Sequence, residues 1–567
     1  FRSWSHAMSG GDVEIIDGSS PDYDVIVVGG GISGLTAART ITKVETSLKV
    51  LVLEGKDRVG GRTLTVPIKA SRDGATELFD LGGQWIGLTQ LHALALLKEL
   101  GIELYEQYVV GEKRIQAGNS RIRSYYESLP IYAFRTYSLG EIADFAQAMI
   151  KHTFLEKKVD ILNPYAWEGA VDADSNTIES WAKSNTWSRT TRDTFEVVAR
   201  SLYGMPANRI SMLYHLMYSK SAGGIFDLVE ASGNGAQAFR IKGGAQQISQ
   251  RMASELGQAV RLGEQVTAVE TNEEQTTLTL ASGEVLSCRR CILAIPPNQC
   301  ARLEWSPPLP LPKRRLFDEA APGMYTKFVA TFISPFWRKE GKSGEIVSAG
   351  RTDTPGETRA IIVAYDATTH SGVAAIVGFI NFELHDLTKE QRQAAVLQDL
   401  TRFLGVSTEA NFVAYEEKKW ADEPLNGGCP VNILAPGLGF AALVIRDVHG
   451  DVHFAATETA TVWTGYMDGA VQAGKRAAHE VLLAFNSPRV DHKCLTDSTF
   501  PAKSPKPCQP QLHYRKRLFS WTRVGISVAV AAALAYFVTA RMSSESPVAR
   551  AIQSIETTTQ RLFNRNR

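Results

Sequence analysis

The sequence predicts an α/β protein: a βαβ-based domain interleaved with an α+β domain and followed by a C-terminal transmembrane helix. Three observations predict it. Gly29-Gly30-Gly31-Ile32-Ser33-Gly34 follows the apolar run Asp24-Val25-Ile26-Val27-Val28. Glu54 closes a second apolar run twenty residues after Gly34. Val524 to Ala540 is a stretch of seventeen residues without a charge.

The first run is β-branched and reads as a buried strand. Gly29 allows a tight turn, Gly31 lets backbone approach a pyrophosphate, and Gly34 lets the following helix pack on the strand. That helix begins near Leu35-Thr36-Ala37-Ala38-Arg39 and aims its amino end at the phosphates. The second strand, Leu48 to Leu53, delivers Glu54 to a ribose hydroxyl. Together these parts make a Rossmann-like dinucleotide-binding unit. Gly55-Lys56-Asp57-Arg58-Val59-Gly60-Gly61-Arg62-Thr63 follows, and its glycines and arginines suit a loop around a second stretch of phosphate. Nicotinamide enzymes have no need of such a loop.

The unit does not stay contiguous. Phe239 to Ile248 reads as strand, glycine turn and helix, with strand-like runs at 260–269, 276–280 and 290–294. Val452 to Glu458 is another strand and turn, leading into a helix from about Gly465 to Phe485. Residues 22–100, 238–300 and 415–486 are therefore assigned to the nucleotide domain. Residues 101–237, which read as mostly helical, and 301–414, which alternate strands with helices, form a second domain that roofs a substrate cavity. Residues 1–21 read as a disordered leader and 487–523 as a linker containing Pro501, Pro505 and Pro507.

As a helix, residues 524–540 span about 26 Å at 1.5 Å per residue, close to the roughly 30 Å of a bilayer core. Arg515, Lys516, Arg517 and Arg523 flank one side and Arg541 the other. Residues 541–567 then make a short tail. The expectation is a tail anchor that leaves the body in the cytosol, with the mitochondrial outer membrane as the favoured bilayer.

Composition narrows the classes. The chain has 567 residues, is 44% hydrophobic and 21% charged, and carries a net charge of +1. That charge gives no electrostatic case for binding nucleic acid. Six cysteines are too few for a disulfide scaffold. Cys288-Arg289-Arg290-Cys291 lacks a second pair at zinc spacing and leads into a strand, so no metal site is expected.

Phe454-Ala455-Ala456-Thr457-Glu458-Thr459-Ala460-Thr461-Val462-Trp463-Thr464-Gly465-Tyr466-Met467-Asp468-Gly469-Ala470, with Asp80-Leu81-Gly82-Gly83-Gln84-Trp85, resembles the flavin-containing monoamine oxidases of the flavin amine oxidase superfamily over roughly residues 22 to 486. The resemblance implies FAD, with cofactor contacts from Gly29, Gly31, Ser33, Gly34, Glu54, Gly55, Arg62, Gly83, Gln84, Val266, Trp420, Cys429, Glu458 and Met467. It implies a covalent bond from Cys429, after Gly427-Gly428, to the flavin 8α carbon. It makes Lys327 and Tyr466 catalytic: Lys327 holds a water at flavin N5, and Tyr466 is one of two tyrosines before the ring. The other tyrosine position is Pro430 here, and proline offers no π face. Phe379, Ser221 and Pro430 would line the substrate cavity.

The implied reaction takes two electrons from the C–N bond of a primary or secondary amine. The imine hydrolyses to an aldehyde with release of ammonia or an amine, and O2 becomes hydrogen peroxide. A polyamine or L-amino-acid oxidase of the same superfamily is the nearest alternative. A polyamine enzyme would need carboxylates in its tunnel, and an amino-acid enzyme an arginine facing the substrate. A membrane-anchored flavoprotein scaffold without turnover is a third reading, kept open by Pro430. The expected partners are a small amine, O2 and a lipid bilayer, and a homodimer is left open.

Overall fold

The β-branched run after Tyr23 becomes Tyr23–Val28, a strand whose last four residues are buried. It lies between two parallel neighbours, Val50–Glu54 and Val285–Leu293. The computed structural model describes residues 20–117, 121–126, 137–231, 235–349 and 359–499. Val260–Leu262 extends the sheet outward from Val50–Glu54, again in parallel. Val285–Leu293 changes partner midway. Its first half pairs antiparallel with Thr276–Leu280, and its last residues pair parallel with Val452–Phe454. Val266–Thr271 and Glu304–Ser306 complete the eight strands. Continuous burial of the inner strands explains their unbroken apolar sequences, because helices cover a parallel sheet on both faces.

The helix Ile32–Val44 packs against Met467–Ala484, and small residues let the backbones close up. A Cβ on Gly474 would lie 2.3 Å from the Ser33 carbonyl oxygen. The Ser33 hydroxyl donates to the Ala455 carbonyl, 422 residues away in sequence.

A second sheet of seven strands faces the first across a cavity. Its order is Phe412–Lys419, Thr326–Phe332, Ala374–Ile380, Ile361–Asp366, Lys342–Ser348, Glu112–Gln116, Arg123–Tyr125. Helices such as Leu139–Lys158, Arg189–Tyr203 and Met212–Ser221 supply the remainder of this half.

Four details differ from the sequence expectation. Residues 101–237 are not uniformly helical, since Glu112–Gln116 and Arg123–Tyr125 join the seven-stranded sheet. Their charges hid them, and Lys113 is buried only because Glu345 pairs with it at 2.8 Å. Phe239–Ile241 joins no large sheet but sits between Trp85–Ile86 and Leu104–Glu106. Phe412–Lys419 runs across the boundary read at 414/415 and pairs with Thr326–Phe332 along its length. The segment read as a linker from residue 487 holds a helix, His492–Thr499, docked on Met467–Ala484, with the Gln472 amide donating to the Ser498 carbonyl at 2.6 Å, and its residues 500–523 lie outside the described ones. Residues 1–19 of the leader and the apolar segment 524–540 lie outside the described residues. Among the described residues no helix is long and apolar enough to cross a membrane.

One ion pair between buried Glu458 and partly buried Arg62 ties the crossing segments. Arg62 donates from Nη1 to Glu458 Oε1 at 2.7 Å and from Nη2 to Oε2 at 3.1 Å. Arg62 Nη1 also donates to the Pro430 carbonyl at 2.9 Å, and Glu458 Oε1 accepts from the Asn432 backbone N–H at 3.1 Å. Removing one partner of a buried pair strands the other charge, at about 3–5 kcal/mol. Arg62→Ala is therefore expected to destabilise the chain by about that much, and Arg62→Lys by less, because it keeps the charge and loses the two-pronged geometry. Denaturant unfolding of the two variants checks the order.

Candidate active site

The carboxyl ends of the parallel strands open into a cavity of about 340 Å³, which extends to the seven-stranded sheet. Ligands of open α/β sheets bind in the crevice at this edge. At the near end, Gly29, Gly31 and Ser33 line the cavity at the start of helix Ile32–Val44, whose first turn holds no acidic residue. A Cβ on Gly31 would meet nothing within 4 Å, so the space beside the start of this helix is open. Gly34 does not reach the cavity. A Cβ on it would fall 2.0 Å from the Gly29 carbonyl oxygen, so its role is close packing of helix on strand.

Glu54 closes its strand with both oxygens engaged, accepting from Gly30 N at 2.7 Å and Lys56 N at 3.0 Å. Burial raises its carboxyl above the ordinary range, against those two bonds. Gly55 and Val266 line the same end.

The far end is aromatic. Lys327 sits on the strand Thr326–Phe332, directly opposite Phe379 on Ala374–Ile380, so both project from one face of the sheet. Lys327 is 1% exposed, and its Nζ donates to Gly82 O at 2.7 Å and Gln84 Oε1 at 2.6 Å. Burial lowers it to about 7, with the nearby Asp80 carboxyl acting the other way. The strand is buried on both faces, which is why its apolar neighbours gave no sign of where the lysine points. The Gln84 Nε2 amide is buried without a hydrogen-bond partner. Trp420 donates from its indole to Leu81 O at 2.9 Å and so braces the Gly82-Gly83 backbone.

Cys429 lines the cavity through a turn in which Gly428 has φ +148° and a Cβ would lie 2.3 Å from the Gly323 carbonyl oxygen. Burial pushes its thiol up to about 12, against the Arg62 and Lys327 charges. The Cys429–Pro430 peptide is cis. Tyr466 caps the helix Met467–Ala484, with Trp463 at 5.0 Å edge-on and Tyr218 at 6.1 Å. Arg62, Gly83, Gln84, Met467 and Pro430 all line the cavity as well.

Three predicted residues stand outside it, Gly34 and two others. Glu458 acts through Arg62. Ser221 is turned away: its hydroxyl donates to Tyr218 O at 2.7 Å and accepts from Thr464 N at 3.3 Å. Its short side chain is satisfied locally, and Tyr218, one turn earlier, lines the cavity instead. Sequence reasoning also missed Tyr325, Thr63 and Gln265. Tyr325 had a signal, being two residues before Lys327 and hence on the same strand face. The cysteines at 288 and 291 are buried in Val285–Leu293, and no group of metal-ligating side chains occurs among the described residues.

This donor set fits a flavin dinucleotide. A helix amino end faces open space, an acid closes the second strand, and an unpartnered amide lies beside a buried lysine at the far end. Residues 32–482 match the family described as flavin containing amine oxidoreductase. The chain is 33% identical over 476 residues to an amine oxidase [flavin-containing] of Danio rerio, covering 82% of this chain and 86% of that protein. Putrescine oxidase bound to putrescine has a similar structure, with TM-score 0.73 and 30% identity over 81% of this chain and 99% of that one. Cyclohexylamine oxidase from Brevibacterium oxydans IH-35A gives TM-score 0.74 and 29% identity over 82% and 100%. A nucleotide fingerprint, a buried lysine and an aromatic end meeting in one cavity agree with these likenesses, and the chain belongs to the flavin-containing amine oxidase family.

Proposed function

We propose that the chain oxidises small primary and secondary amines carrying one nitrogen, through the aromatic end of the cavity. The observation that carries this reading is the distribution of charge. Among the described lining residues the carboxylates are Glu54 and Glu264, and both sit at the nucleotide end, where Glu264 N donates to Glu54 O at 2.9 Å. Among the described residues the far end offers no carboxylate for a second ammonium. The lining arginines are also engaged, Arg62 by Glu458 and Arg302 by the Pro424 carbonyl at 3.0 Å. Neither is free to clamp an amino-acid carboxylate.

The flavin, when bound, accepts the two electrons withdrawn from the amine. The protein supplies the surroundings. Tyr466 and Phe379 form walls that strip water from an entering ammonium and favour its neutral, reactive form. The amine loses two electrons and two protons to become an imine, and water converts the imine to aldehyde and ammonia. O2 takes up two electrons and two protons as hydrogen peroxide. The Lys327 ammonium stands where negative charge develops on oxygen. FAD attachment through the Cys429 sulfur is part of the same proposal. Burial holds this thiol protonated, and the Arg62 and Lys327 charges beside it favour the thiolate that attachment requires. From sequence alone, residues 524–540 support membrane attachment, with the mitochondrial outer membrane as the proposed site; resistance of the full chain to alkaline carbonate extraction is the corresponding measurement.

Peroxide release from tyramine, putrescine and leucine tests the substrate class. Turnover of tyramine is expected, and turnover of putrescine alone would exclude the single-nitrogen reading. Lys327 is charged below about 7 and neutral above it. Oxygen uptake by the reduced enzyme should therefore slow as pH rises through about 7, while Lys327→Met should be slower by about 10²-fold and flat with pH. Acid-precipitated protein is expected to stay yellow, and Cys429→Ala to release its colour into the supernatant.

A further inference from the structure

Pro430 offers no aromatic ring to its wall of the cavity, yet an aromatic ring stands beside it. Met324 and Cys429 form a β-bridge, which brings Tyr325 next to the Cys429-Pro430 turn. Tyr325, Trp420 and Cys429 share one buried cluster, with Phe379 packed on it. The Tyr325 ring stacks on Phe379, with centroids 4.2 Å apart and planes 15° from parallel. Its hydroxyl donates to the Arg200 carbonyl at 3.0 Å and to the Ser201 carbonyl. Arg200 is itself fixed by Glu196, Asn381 and Glu383. Gly204, with φ +65°, leaves room for the ring, since a Cβ there would come within 3.0 Å of it. Tyr325 is thus held by its face and by its hydroxyl, while Tyr466 has separate supports in Trp463 and Tyr218. Both rings line the same cavity.

We propose that Tyr325 is the second aromatic wall of the amine site, supplied from the residue before the lysine strand, and that the ring face not stacked on Phe379 contacts the substrate nitrogen opposite Tyr466. This rests on the amine reading above. A ring fixed by stacking and two carbonyls needs no ordering when the amine arrives, so its attraction for a cation or a lone-pair nitrogen is delivered without an entropic penalty.

The test is calorimetric binding of benzyltrimethylammonium to the flavin-loaded full chain. This cation has no nitrogen lone pair and is not turned over, so its affinity is read apart from activity. Tyr325→Phe keeps the ring and should bind within about twofold of the parent. A ring-fluorinated phenylalanine at 325 keeps the shape and drains the π face, and should weaken binding by about fivefold to thirtyfold, as should Tyr325→Leu. If Leu impairs folding, the comparison between phenylalanine and its fluorinated form decides alone. Equal affinity of those two overturns the proposal. So does a parent that ignores the probe yet makes peroxide from tyramine. A parent that does neither overturns the amine reading instead.

Discussion

The pairing of Arg62 with Glu458 is the constraint on which the rest of the site depends. Its partners are 396 residues apart in sequence, and Arg62 reaches the Pro430 carbonyl across a separation of 368. Three segments that share no local order meet there: the arginine loop after the second strand, the turn containing Cys429, and the strand end before Tyr466. Two charges with little access to water tolerate each other only in good geometry, so the two-pronged contact sets the distance between these segments within narrow limits. The position of Tyr466 relative to Cys429 follows from it.

Around that tie the cavity is chemically divided. Its near end is built from backbone N–H groups, a helix amino end and acids, as suits a dinucleotide. Its far end is built from rings and one lysine whose charge is held only weakly against burial. Gly82 O and Gln84 Oε1 stabilise the ammonium, and the low-dielectric surroundings oppose it, leaving it balanced near neutral pH. The same backbone segment that braces the lysine is braced by Trp420, so the lysine and the segment it bonds are held together from the end of the neighbouring strand Phe412–Lys419.

The near end was legible in the sequence because its chemistry is local. Gly29, Gly31 and Glu54 lie within one βαβ unit, where spacing alone fixes their roles. The far end was readable only through resemblance, because it is assembled from strands and turns that are distant in sequence. Lys327 shows the limit: on a strand buried on both faces, alternation carries no information about which face sees the cofactor. Lys113 shows another, since a charged strand can be buried when its counterion comes from a distant strand. Ser221 was misplaced because matching its position in sequence says nothing about the reach of a shorter side chain. Tyr325 was passed over although its parity with Lys327 was visible.

The close approach of Gly474 to Ser33 has a consequence for how the protein is made. The nucleotide fingerprint leaves the ribosome early, but the helix that covers it is among the last parts of the body to appear. Until then Ile32–Val44 has only the cover given by its own strands and Gln247–Leu256, and the pocket for the dinucleotide has only part of its walls. Contacts of such long sequence separation form late and slowly. Closure of the dinucleotide pocket is therefore a late step of folding, reached only when the last helix of the body docks.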